Sequence, residues 1–189
     1  MAAGFVKMCS DGDLEGVRDA LQRGVDVNSR DAHGGTGLRR ALWNSHTAVA
    51  SLLLEQEGID VDIVSDYGQT ALHSAARSDL NSECLALILA KSTSVNQADA
   101  GGLTALWIAG AMGRTALWEA VNYNAVRCVL LLLSDERTDP NIKDDAGDTP
   151  LMIAVKWNDV ACVELLLADP RVDLMTRDNY QRSEEEVAR

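Results

Sequence analysis

The sequence predicts an all-α fold, a solenoid of stacked units in which each unit holds two helices joined by a short turn. The first observation is a repeated motif, Gly-x-Thr followed by small and apolar residues, whose clearest copy spans 147–155. The second is its period, because Thr36, Thr70 and Thr104 lie 34 residues apart. The third is a leucine-rich run after the motif, as at 130–133. Such a period is typical of units that bury their apolar faces only against neighbouring units.

The unit resembles the ankyrin repeat, whose pattern is roughly Asp-x-x-Gly-x-Thr-Pro-Leu-His-x-Ala-Ala, then a second helix ending in Leu-Leu, then Val-Asn. The Val-Asn element occurs at 27–28 and 95–96 and, in the partial form Pro-Asn, at 140–141. The resemblance covers nearly the whole chain in phase. It implies an ankyrin-repeat solenoid with short finger turns, the turns that precede each first helix. It also implies a role in binding proteins rather than in catalysis.

We expect one domain, 1–189, with an N-terminal unit at 1–27 that lacks a finger turn. A turn at 10–13 with a good N-cap joins the two helices of that unit. The units that follow are 28–61, 62–95, 96–140 and 141–174, and then a partial C-terminal cap at 175–189. Helices are predicted at 2–9, 14–23, 36–44, 47–56, 70–77, 82–91, 149–157 and 160–168.

The motif residues have physical reasons to begin these helices. Threonine caps free backbone N–H groups at the start of a helix, and Pro150 fits the first turn, where its missing N–H costs nothing. The glycine two residues before each threonine permits a tight turn. Alanines such as Ala75 and Ala154 let neighbouring helices approach closely, and we expect the leucine runs to fill the interface between units.

The fourth unit contains an insertion of 11 residues near 102–113, which duplicates the motif. Eleven residues make about three helical turns, so a lengthened first helix would keep its apolar face in register. Against this, Gly110 and Gly113 would each cost about 1 kcal/mol inside a helix. The other interpretation, which we prefer, is a longer finger with the first helix beginning at Thr115. In both cases the insertion should protrude from the stack.

The resemblance implies that ligands meet the finger turns and a concave groove along the first helices, at the positions seven and eight residues after each threonine. Exposed Trp, Tyr and Arg carry most of the energy of protein interfaces. The candidate protein-binding residues are Trp43, Tyr67, Arg77, Tyr123, Lys156 and Trp157. The alternative is that these aromatic side chains pack against the next unit and only stiffen the stack.

The resemblance bears on two further sets of residues. Trp107 and Trp118 stand where the family often has His, as His73 does here, and we interpret both as structural. In the ankyrin family the Asn of the Val-Asn turn can be hydroxylated by an oxygenase. The candidates for hydroxylation are Asn28, Asn96 and Asn141.

The charge of the chain restricts its partners. The formal net charge is −12, whereas a nucleic-acid site needs clustered Lys and Arg. We therefore expect no nucleic-acid or membrane partner, but a protein partner with basic character, which the acidic chain would attract. No apolar run approaches the ~18 residues of a membrane span, and the N-terminus lacks the features of a signal peptide.

No catalytic or metal-binding pattern stands out. The four cysteines form no Cys-x-x-Cys pair and the three histidines fall in different units, so we expect no metal, no cofactor and no enzyme activity. Unpaired cysteines are typical of a reducing, intracellular compartment, which predicts a cytoplasmic or nuclear protein. The cysteines are Cys9, Cys84, Cys128 and Cys162.

Two hypotheses on function follow. In the first, the chain is a monomeric, non-enzymatic scaffold or adaptor that binds a partner protein through the groove and the finger turns. In the second, it is a structural fragment or subunit of a larger ankyrin array that self-associates or stacks on adjoining repeats. The second hypothesis is motivated by the sixth unit, which is incomplete.

Overall fold

The computed structural model describes residues 2–98 and 113–176, and these two ranges hold ten α-helices, one short 3-10 helix and no β-strand. The all-α prediction is therefore confirmed. The helices are α1 (Ala2–Asp11), α2 (Leu14–Gln22), α3 (Gly37–Trp43), α4 (Thr47–Leu54), α5 (Ala71–Ala76), α6 (Ser82–Lys91), α7 (Ala116–Asn122), α8 (Val126–Ser134), α9 (Pro150–Lys156) and α10 (Val160–Ala168), and the 3-10 helix is Asp79–Asn81.

The helices form two layers. The first helices α1, α3, α5, α7 and α9 pack side by side in chain order, the second helices α2, α4, α6, α8 and α10 do the same, and each first helix packs on the second helix of its own unit. The core lies between the layers. In four units the leucine that lies two residues after the motif threonine is buried there. These leucines are Leu38, Leu72, Leu117 and Leu151.

The predicted threonine caps are present. The hydroxyls of Thr36, Thr115 and Thr149 each accept the backbone N–H three residues further on, at 3.2 to 3.3 Å. The threonines are therefore caps and not helix residues, so the first helices begin one residue later than the sequence predicts.

The first helix of the fourth unit, α7, begins directly after Thr115. Gly113 has a φ of +68°, a left-handed conformation that a helix running through it would not have. The lengthened helix that the duplication allowed would have to include this residue. The rest of the insertion near 102–113 lies outside the described residues, as does most of the C-terminal cap at 175–189.

In three units the asparagine that begins the unit bonds the backbone at the end of the same unit, a contact we call the latch, and in the third unit Asp62 holds this position. The Asn28 side-chain amide donates to the Gly58 carbonyl at 2.8 Å, and its oxygen accepts the Asp60 N–H at 2.9 Å. The partners of Asn28 and Asn141 lie 30 and 32 residues ahead, but those of Asn96 lie 41 and 43 residues ahead. The 11 additional residues are thus accommodated without changing the latch.

His73 connects the third unit to the fourth. Its Nδ1 accepts the Thr70 backbone N–H at 3.2 Å, so its Nε2 carries the proton and donates to the Arg114 carbonyl at 2.9 Å. The ring is buried. Desolvation is the main cause that lowers the pKa of His73 from 6.5 to about 4, and the charge of Arg39 lowers it further. The folded chain therefore holds a neutral imidazole between two units.

This burial predicts a pH dependence of stability that His73→Gln should remove. Between pH 6.5 and 4 the unfolded His73 takes up a proton and the folded one does not. The wild-type free energy of unfolding should therefore fall, relative to that of the variant, by about 1.4 kcal/mol per pH unit as the pH decreases through this window. Above the window the two curves should run parallel. Urea unfolding at a series of pH values measures both.

The exposed His33 provides the control. His33→Gln should keep the wild-type dependence on pH, because it leaves the buried ring unchanged. Parallel curves for wild type and His73→Gln across the whole window would contradict the assignment of a buried neutral imidazole.

Candidate interaction surface

Four of the six candidate binding residues lie at the ends of first helices, Trp43 and Arg77 seven residues after the motif threonine and Tyr123 and Trp157 eight residues after it. Trp43 ends α3, and Arg77, Tyr123 and Trp157 are the C-caps of α5, α7 and α9. Because the first helices stack in chain order, these side chains come from four successive units along one side of the stack. We call these four residues the stripe.

Arg77 joins the first three members of the stripe. Its Cζ lies 3.4 Å from the centroid of the Trp43 ring and 4.3 Å from that of the Tyr123 ring. Its Nη2 also donates to the Tyr123 hydroxyl at 2.7 Å. Cation–π contacts of this kind contribute about 0.5–2 kcal/mol each, depending on desolvation. The guanidinium therefore holds two aromatic rings from the neighbouring units, which remain 44% and 46% exposed.

Trp157 is the fourth member and differs from the others. It is 62% exposed, and within the described ranges no Arg or Lys lies over its ring. The neighbouring Lys156 instead reaches Asp148, with 3.6 Å between its Nζ and the carboxylate Oδ2. The candidate Lys156 is thus engaged with the finger turn of its own unit.

Tyr67 lies on the finger turn of the third unit, at the opposite end of α5 from Arg77. It is 40% exposed, and its ring centroid is 6.1 Å from that of His33 on the finger of the second unit. The structure therefore separates the sequence-predicted site into the stripe and a pair of finger rings.

The expectation that leucine runs fill the interface between units is wrong for some members. Leu87, Leu130 and Leu167 are exposed on the second helices, because successive residues of a helix point about 100° apart and a run of leucines cannot share one face. Leu80, in the 3-10 helix, is exposed as well. These side chains form an apolar surface on the second-helix layer that the sequence analysis did not anticipate.

A second residue that the sequence analysis missed is Asp79. In the other units Ser45, Asn124 and Asn158 make a left-handed turn between the helices, with φ of 50 to 57°. Asp79 instead begins the 3-10 helix, and its Oδ1 accepts the N–H groups of Arg127 and Cys128 at 2.9 and 3.2 Å. Asp79, two residues after Arg77, thus caps α8 of the next unit.

The candidate hydroxylation residues are the latch residues of the fold. In Asn28, Asn96 and Asn141 both the amide N–H and the carbonyl oxygen bond backbone atoms at the end of the same unit. The structure therefore assigns these side chains a structural role. Their hydroxylation stays a prediction of the resemblance.

The described residues bring together no group of His, Cys, Asp and Glu that could hold a metal ion. All four cysteines are unpaired and buried. Desolvation is the main cause that raises the pKa of Cys9, Cys128 and Cys162 to about 12, so these thiols stay protonated and unreactive at neutral pH. Trp118 is buried, as its structural interpretation predicts, and Trp107 lies outside the described residues. None of the helices in the described ranges is long and apolar enough to span a bilayer.

Comparison with known proteins gives several relatives. Rabankyrin-5 of Mus musculus is 28% identical over 120 residues, covering 64% of this chain and 9% of that protein. The probable E3 ubiquitin-protein ligase XBOS33 of Oryza sativa subsp. japonica is 33% identical over 133 residues, covering 69% and 23%. The nuclear factor NF-kappa-B p105 subunit of Gallus gallus is 34% identical over 98 residues, covering 50% and 10%. The chain spans less than a quarter of the length of each.

The fold and the family agree. The crystal structure of EF0377, an ankyrin repeat protein, matches with a TM-score of 0.81 over 100% of this chain and 91% of that one, at 24% identity, which shows the fold alone. The family model "Ankyrin repeats (3 copies)" matches residues 5–99 and 97–178. Ankyrin repeats generally mediate protein–protein interaction and are not in general enzymes. Because this family model matches most of the sequence, the chain belongs to the ankyrin repeat family.

Proposed function

We propose that the chain is a non-enzymatic scaffold or adaptor that binds a segment of a partner protein along the stripe and the finger turns. The observation that supports this most strongly is the stripe itself. Three large aromatic side chains, Trp43, Tyr123 and Trp157, are about half exposed and lie at the ends of first helices along one side of the stack. Exposed Trp, Tyr and Arg are the side chains most enriched at interface hot spots.

The contact with Arg77 favours binding over a purely stiffening role. Because the guanidinium lies between the rings of Trp43 and Tyr123, both rings are ordered before a partner arrives. A partner then gains apolar contact without the entropic cost of fixing these side chains, about 0.5–1.5 kcal/mol for each. The stacking contact stabilises the surface, and the open faces of the rings remain available.

We further propose a partner with basic character and an intracellular location. The net charge of −12 supports the first, since it raises the encounter rate with a basic surface. The four buried, unpaired cysteines support the second. A cytoplasmic or nuclear monomer is the form in which we expect the protein to act.

Removal of the stripe aromatics should abolish binding. Trp43, Tyr123 and Trp157 replaced together by Ala should lose a partner that the wild-type chain retains in affinity capture from a cell lysate, followed by mass spectrometry. The physical reason is that each hot-spot aromatic contributes about 2 kcal/mol or more.

The exposed leucines of the second-helix layer give a matched control. Leu80, Leu87 and Leu130 replaced together by Ala remove a similar amount of exposed apolar surface from the other layer. This variant should retain the partner. If the stripe variant still retains the partner and the leucine variant loses it, the binding surface is the second-helix layer and the proposal for the groove is wrong.

A second candidate function is a structural one, as part of a larger array. It is favoured by exposed apolar side chains in and after the last described helix, which a further repeat would cover, among them Leu167, Leu174 and Met175. If this function holds, light scattering should show self-association that increases with concentration. Replacing these three residues by Gln should then restore a monomer, whereas a wild-type monomer at high concentration would contradict it.

A further inference from the structure

Within the stripe, aromatic rings already bind a guanidinium, that of Arg77. Arg77 places a planar cation against the faces of Trp43 and Tyr123, and the hydroxyl of Tyr123 accepts one of its N–H groups at 2.7 Å. The positions at the ends of the first helices therefore form a ladder in which a guanidinium alternates with an aromatic ring. The ladder reaches Tyr123 and has no further cation among the described residues.

Tyr123 and Trp157 occupy one and the same position in the fourth and fifth units. Each is the C-cap of its first helix, with its backbone N–H bonded to the carbonyl four residues earlier, and each is followed by an asparagine in the left-handed conformation. Arg77 takes one face of the Tyr123 ring, yet 46% of that residue is still exposed, and Trp157 is 62% exposed. This pair of exposed rings on neighbouring helices thus offers a place for a cation.

The charged groups near Trp157 do not fill that place. Lys156, the adjacent residue, is paired with Asp148 on the finger of the same unit. Asp159 follows two residues later and caps α10 through the Cys162 N–H. The carboxylate of Asp159, in a chain of net charge −12, attracts a cation and repels an anion.

From this geometry we propose that Tyr123 and Trp157 bind the guanidinium of an arginine side chain in a partner protein, which extends the ladder that Arg77 begins. The proposal rests on the groove function proposed above and names the chemistry of its ligand. Arginine fits better than lysine, because its planar guanidinium stacks on aromatic faces and is weakly hydrated, whereas the lysine ammonium is a compact and strongly hydrated charge. The partner segment is therefore a basic one with an arginine opposite the fourth and fifth units.

A phage library of random linear peptides, selected on the intact chain, tests this proposal. We expect the selected peptides to share an arginine at one fixed position. A synthetic peptide of the selected sequence should lose affinity about tenfold when that arginine is replaced by citrulline, which keeps the shape but not the charge. Calorimetric titration of both peptides gives the ratio of the two affinities.

The variant Trp157→Leu locates the arginine. Because Trp157 is largely exposed, this substitution should leave the fold intact, which circular dichroism verifies. The affinity ratio between the arginine and citrulline peptides should fall from about tenfold to near one in Trp157→Leu. The control Leu130→Ala, on the second-helix layer, should keep the wild-type ratio.

The remaining outcomes distinguish a failure of this inference from a failure of the groove function. Selected peptides that need the stripe but show no arginine preference, or an unchanged ratio in Trp157→Leu, would overturn this inference and leave the groove function standing. Peptides that bind equally well to the Trp43, Tyr123 and Trp157 triple Ala variant would overturn the groove function itself. A gain in affinity when Arg177, Arg182 and Arg189 are all replaced by Gln would mean that an arginine of this chain occupies the rings, which also overturns the proposal.

Discussion

The apolar side chains of each described unit are buried largely by packing against the neighbouring unit. The rest of the structure depends on this nearest-neighbour packing. Leu72, for example, is buried because α5 lies between α3 and α7. A polar contact, the His73 bridge, likewise joins the third unit to the fourth, whereas the Asn28 latch joins the two ends of one unit. Each described unit is therefore stabilised by the units directly before and after it in the chain.

The stripe is a consequence of this packing. Arg77 can contact rings on both sides only because the first helices of three successive units stand in register. In a chain with net charge −12, this part of the surface carries a cation, the Arg77 guanidinium, between two aromatic rings. It lets the protein expose large aromatic side chains in a fixed arrangement, while a guanidinium rather than apolar contact alone holds them in place.

The repeat and its caps were predictable because their causes are local. The threonine spacing gave the period directly, and Thr36, Thr115 and Thr149 act on backbone groups three residues away. The 3-10 helix at Asp79–Asn81 was not predicted, because the groups that Asp79 caps lie 48 and 49 residues ahead. For the same reason, sequence could select Trp43, Arg77 and Tyr123 as candidates but not the contacts between them, and it could not show that Leu87 and Leu130 face solvent.

The asparagine latch has a consequence for how such a chain can change during evolution. The Asn96 amide bonds a carbonyl and an N–H at the end of its unit across 41 and 43 residues, as Asn28 bonds its partners across 30 and 32. The latch recognises two backbone atoms in space and is indifferent to the length of chain between them. The 11 additional residues therefore leave both hydrogen bonds in place, and a duplication of the motif does not by itself break the contact that closes the unit.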